Sequence, residues 1–102
     1  MRLTMERNRK YTVWLTDQGG RAFMGKSDEP ESRWRVYGEY VGNEPGVGLW
    51  MHVEYVEQTT AMGEPRLFAV SPPVCLVPWT YVITIQLQGE KFEGVKVTDY
   101  KH

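Results

Sequence analysis

Cysteine is nearly absent: Cys75 is the only one in 102 residues. That excludes an intrachain disulfide and a zinc site built on paired thiolates. Histidine is almost as scarce, with His52 the only one before the last residue, so neither a metal site nor a cofactor is expected. No apolar run approaches the roughly 18 residues that a membrane-spanning helix requires. The opening residues, Met1 to Lys10, lack the apolar stretch of a secretory signal, so the expected setting is reducing and cytoplasmic, with no membrane partner. Helical periodicity is missing as well; the best helix candidate is a short turn within residues 3–9. There is no internal repeat and no low-complexity tract.

Charge of one sign is also lacking. The formal net charge is −1, which supplies no global field for nucleic acid. The distribution is mildly uneven: residues 1–35 hold eight Lys/Arg against five acids, and residues 36–102 hold four against eight. Screening blunts so small an asymmetry.

What is present is a globular composition, 41% hydrophobic and 25% charged, with four tryptophans and six tyrosines. The length fits one domain, 1–102, with one modest core. Strand signals dominate. Residues 11–16 (Tyr-Thr-Val-Trp-Leu-Thr) alternate and are rich in β-branched and aromatic types. Asp17-Gln18-Gly19-Gly20 reads as turn chemistry, and Arg21 to Glu31 as a long polar loop. Residues 33–41 alternate again, with Trp34, Val36 and Tyr40 on one face and Arg33, Arg35, Tyr37 and Glu39 on the other. Gly38 interrupts this run, as glycine does where a strand bulges or bends and another backbone comes close. A Gly/Pro/Asn loop over 42–48 leads to residues 49–56, where Leu49, Met51, Val53 and Tyr55 share a face opposite His52 and Glu54. The pair reads as a β-hairpin. Further strands are expected at 66–70, 74–77, 82–87 and Phe92–Val97. Pro78 cannot donate to a ladder, so the chain must turn or pass an edge there.

Short strands this closely spaced cannot hide both faces in one flat sheet of this size. The expected architecture is therefore all-β: a small, strongly bent five-stranded barrel, with an extra C-terminal strand and a long loop after the first strand. A two-layer sandwich is the competing arrangement.

Few residues suggest chemistry. His52 and Glu54, two apart on one face, could form a metal or acid/base pair, but an outward polar strand face is the better reading. Cys75, between Val74 and Leu76, reads as a small buried hydrophobe. Ser71-Pro72-Pro73 lacks a nucleophile-elbow context, and the Gly-rich turns precede no helix that could cradle a phosphate. No catalysis is expected. Trp34, Trp50 and Trp79 are potential anchors or stacking platforms; Trp50, opposite Leu49 and Met51, is the one placed outside the core. Arg33, Arg35 and Tyr37 form a small basic and aromatic surface.

Residues 36–51 (Val-Tyr-Gly-Glu-Tyr-Val-Gly-Asn-Glu-Pro-Gly-Val-Gly-Leu-Trp-Met) and 76–85 (Leu-Val-Pro-Trp-Thr-Tyr-Val-Ile-Thr-Ile) resemble the two sequence blocks of the Sm-like family. In that family a bent, glycine-containing strand, a short loop and a third strand form the first block. A strand, a tight turn and a final strand form the second. Gly38 stands at the bend, and Pro78-Trp79 stand where the family carries Arg-Gly. The resemblance implies a small barrel of SH3-like topology and a homo-oligomeric ring built by pairing edge strands. It places contacts to single-stranded RNA or a partner near Asn43, Glu44, Pro78 and Trp79; Trp50 and the surface of Arg33, Arg35 and Tyr37 join them as candidate contacts on their own residue types. The function expected is a non-enzymatic, oligomeric Sm-like binding or scaffold protein, with RNA as a partner the resemblance allows. The alternative is a monomeric SH3-like module that binds a peptide or partner protein through exposed Trp50 and Trp79.

Overall fold

The computed structural model describes residues 5–26, 30–61, 63 and 65–88. Its elements are β1 (Lys10–Leu15), α1 (Asp17–Met24), β2 (Ser32–Glu44), β3 (Gly48–Thr60), β4 (Arg66–Phe68), β5 (Val74–Pro78), a 3-10 turn (Trp79–Tyr81) and β6 (Val82–Gln88). The strands form one antiparallel sheet in the order β4-β3-β2-β1-β6, with β5 also on β3. β4 pairs with Val56–Gln58 and β5 with Gly48–His52, so the two are halves of one edge broken at Ser71-Pro72-Pro73. Across the break the Val53 N–H donates to the Pro73 carbonyl at 2.8 Å. The expectation of a small all-β domain is met.

The sheet must curl. β5 and β6 lie at opposite ends of the strand order, four inter-strand steps apart, which in a flat sheet is about 19 Å. Only the 3-10 turn joins Pro78 to Val82, a reach of at most about 14 Å. Both strands accordingly pack on one core, formed by Val13, Leu15, Trp34, Val36, Leu49, Met51, Val53, Val56 and Val77, with Val82 and Ile85 against it. The curl stops short of closure: among the described residues neither β4 nor β5 pairs with β6. The expected C-terminal strand, Phe92–Val97, lies outside the described residues.

Two bulges bend the long hairpin. Tyr37 pairs with Tyr55 but Gly38 with Val53, which makes Glu54 an extra residue on β3; Val41 is the extra residue on β2, between Tyr40 and Gly42. At Gly38 a Cβ would lie 2.3 Å from the His52 carbonyl oxygen and 2.8 Å from the Val53 Cα. The glycine is required by that close backbone approach. The bulge also inverts the alternation of β3. Leu49, Met51 and Val53 face the core as expected, but beyond Glu54 the inward residues are Val56 and Gln58. Tyr55, expected among the core residues, instead stacks on Tyr37 on the outer face, their centroids 5.1 Å apart.

The connection after β1 corrects a second expectation. Residues 17–24 form a helix, so what reads as a turn and a long loop is shorter and ordered at its start. Thr16 caps it by accepting from the Gly19 N–H at 2.9 Å. Gly25, in the left-handed region at φ 68°, ends it, and the Lys26 N–H returns to the Arg21 carbonyl. The two glycines that argue against a helix are there for contact. A Cβ on Gly20 would lie 2.1 Å from the Trp34 ring, and one on Gly19 2.6 Å from the Tyr81 side chain. The helix therefore seats its glycine face directly on Trp34.

Candidate binding surfaces

Five of the eight residues singled out in the sequence converge at the hairpin tip. Asn43 and Glu44 close β2 opposite Leu49 and Gly48, and Gly48 in turn pairs with Pro78. The Trp79 N–H donates to the Val47 carbonyl at 2.9 Å, tying the 3-10 turn to the tip. Gly48 permits this junction: a Cβ there would stand 2.3 Å from the Val77 carbonyl oxygen. Trp50 lies between Gly42 and Leu76 on the outer face, and its indole N–H donates to Glu44 Oε1 at 3.2 Å. At the tip and on the flanking β5, Val41, Val47 and Val74 are exposed at 39%, 48% and 45%. The tip and its flanking strand thus carry three exposed valines and a half-buried indole. Trp79 instead turns partly inward and packs against the core.

Arg35 and Tyr37 belong to a second surface, on the outer face of β1, β2 and β3. The Arg35 guanidinium lies 5.5 Å from the Trp14 ring centroid and forms an ion pair with Glu57. The Trp14 indole donates to Gln86 Oε1 at 2.9 Å. Tyr37 stacks on Tyr55, whose phenol burial pushes above its ordinary range. Lys10 reaches across to Glu54, and the hydrogen bond and charge of that carboxylate raise its pKa. Trp14, Tyr55 and Glu57 did not stand out in the sequence. Trp14 was legible as the outward residue between Val13 and Leu15; Tyr55 was hidden by the bulge. With Arg35 and Lys10 each facing a glutamate, the surface is charge-balanced and not a basic patch. Arg33 is separate: it is exposed at the start of β2, beside an open cleft of about 420 Å³ that Trp14, Leu15, Asp17 and Ile83 also line.

Reactive groups are sparse. Glu54, the bulge residue, is held by Lys10, and His52 is exposed between Glu39 and Val74 on the neighbouring strands. The Cys75 thiol, half-buried, points to the Pro72 carbonyl at 3.1 Å, and burial pushes its pKa up, which opposes the thiolate that a nucleophile needs. Among the described residues no group of three or more His, Cys, Asp or Glu side chains is arranged to hold a metal ion. No helix among them is long and apolar enough to cross a membrane.

Among the described residues Asp17 is the most engaged acid. Its Oδ1 accepts from the Ser32 N–H at 3.1 Å and the Trp34 indole at 3.0 Å, and its Oδ2 from Arg21 at 3.0 Å. Burial works to raise its pKa, and these three donors outweigh it and hold the carboxyl below its ordinary value. These contacts fasten α1 to β2; they leave Asp17 a structural clamp. Compared with known proteins, the chain matches no family model, no curated protein and no solved structure.

Proposed function

We propose that this chain is a non-enzymatic binding or scaffold domain of the Sm-like kind, which assembles with copies of itself through open strand edges. The observation that carries this reading is the unclosed seam: a strongly curled sheet leaves backbone donors and acceptors unpaired along β6 and along β4–β5, among the described residues. Such edges are templates for another chain. Exposed apolar side chains stand at both, Ile83 on β6 and Leu67 on β4, each 63% exposed. Light scattering of the purified chain tests the reading: an oligomer supports it, and a strict monomer at high concentration overturns it. The ratio of absorbance at 260 and 280 nm in the same run tests the RNA-binding half. Co-purified nucleic acid that salt removes supports that half, and a clean protein that binds no single-stranded RNA at low salt ends it.

The half-buried Trp50 and the exposed valines at the tip favour a second reading, a monomeric SH3-like module that captures a peptide or partner protein. Aromatic side chains in a shallow apolar surface are the usual anchors for such contacts. Under this reading Trp50→Ala abolishes capture while the domain stays folded.

A further inference from the structure

The open cleft beside Arg33 is lined by three apolar side chains, Trp14, Leu15 and Ile83, and by groups of both charges, Asp17, Glu31 and Arg33. Its volume, about 420 Å³, falls within the range of small-molecule sites. Two features of the fold build it. On one side Trp14 pairs with Thr84 but Leu15 with Val82, so Ile83 is an extra residue that stands exposed in the lining. On the other, the Ser32 N–H donates to Asp17 Oδ1 at 3.1 Å, which holds the start of β2 against α1 and brings Glu31 and Arg33 to the cleft. Trp14 enters the lining already fixed: Arg35 lies 5.5 Å from its ring centroid, and its indole N–H is bonded to Gln86. A ring held in this way loses little freedom when a ligand packs on it.

The charges decide what the cleft can take. Asp17 has three donors, Arg21 among them, so its charge is met within the fold. Glu31 and Arg33 are both exposed and stand two residues apart, about 7 Å along an extended chain. Arg33 is already engaged, but its guanidinium fork carries five donors, more than one partner uses. A purely apolar ligand would meet neither charge. A simple cation would meet Glu31 and face Arg33, and a simple anion would do the reverse. A molecule that carries an ammonium and a carboxylate on one carbon, with an apolar body, answers the whole lining. We infer that the cleft binds a free α-amino acid with a large apolar side chain. Its ammonium meets Glu31, its carboxylate meets Arg33, and its side chain packs on Trp14, Leu15 and Ile83. This site goes beyond the self-assembly reading and uses no strand edge.

An open cleft leaves part of the ligand in water, so the affinity expected is millimolar. Titration of the full chain with L-phenylalanine, followed by the NMR signals of the Trp14 indole and the Ser32 and Thr84 amides, tests the site. These signals should move to saturation. Phenylpropionate, which lacks the ammonium, and phenethylamine, which lacks the carboxylate, should each bind about fivefold more weakly or worse. Glu31→Gln should weaken L-phenylalanine by about fivefold and leave phenylpropionate unchanged, because only the ammonium is assigned to Glu31. Arg33→Gln should weaken L-phenylalanine and leave phenethylamine unchanged. Should the loss of Arg33 unsettle the fold, Glu31→Gln, at an exposed residue outside the strands, carries the test alone. Failure to saturate, equal affinity for the three ligands, or a response confined to the Trp50 indole overturns the site. None of these outcomes bears on self-assembly, which light scattering reads separately.

Discussion

The same two strands end very differently. At the end capped by α1, the Trp34 side chain is wholly buried beneath Gly20, its indole is bonded to Asp17, and Gln58, also buried, donates to Ser32 at 2.9 Å. At the other end, the hairpin tip, Val41 and Val47 face outward, and Trp50 makes one indole bond, to an exposed glutamate. One hairpin thus closes the core with its first tryptophan and displays its second. The difference assigns stability to one end and capacity for contact to the other. Substitutions should separate accordingly.

Trp34→Ala is the severest test. It empties the largest fully buried side chain and removes the indole donor, and should cost about 3–5 kcal/mol in chemical denaturation. A loss below about 1 kcal/mol would mean that the capped end does not carry the fold. Gly20→Ala comes next. Alanine improves helix propensity by about 1 kcal/mol, but its methyl group must displace α1 from the Trp34 ring, so the net loss should be about 2 kcal/mol. If the variant proves more stable than the parent, α1 is not seated on that ring.

Asp17 sharpens the comparison through pH. Its folded-state pKa lies below the unfolded value, so its contribution is complete above the ordinary carboxylate range and is lost as pH falls through the folded value. Stability should fall in acid, with the 280 nm environment of Trp34 changing early. Asp17→Asn keeps an acceptor for Ser32 and Trp34 but gives up the charge beside Arg21. It should cost about 1 kcal/mol at neutral pH and flatten part of the acid limb. An unaltered acid limb would remove Asp17 from the clamp.

Local pattern made much of this legible. The alternation of β2 places Trp34 and Val36 inside, and the single glycine in that run marks the bulge. What was hidden depends on contacts far apart in sequence. The inversion after Glu54 follows from pairing with β2, so no pattern within β3 discloses that Tyr55 points out. β2 and β3 each extend to 13 residues because they pair with one another past Gly42 and Thr59, where turn and polar residues argue for a loop. Helix α1 was hidden by its own glycines, whose use becomes visible only with Trp34 above them; the Thr16 cap, Gly25 stop and Asp17–Arg21 spacing were its local signals. The tip surface was partly legible. Asn43, Glu44 and Trp50 are neighbours in sequence, but only the Trp79–Val47 bond brings the 3-10 turn beside them.

The smallest effect on stability is expected where the effect on contact is largest. Trp50 is only half-buried, one strand neighbour, Gly42, has no side chain to enclose it, and its indole bond is to an exposed acid. Trp50→Ala should therefore cost about 1 kcal/mol, well below the loss for Trp34→Ala, because part of the ring stays in water in the folded chain. Trp50→Phe separates the ring from the indole bond: it keeps an aromatic surface and loses the link to Glu44. If the tip is a contact surface, Trp50→Ala should suppress partner capture in pull-downs, and Trp50→Phe should retain part of it, both with near-parental melting. A melting loss as large as that of Trp34→Ala would instead place Trp50 in the core's support, and the two ends of the hairpin would no longer differ in kind.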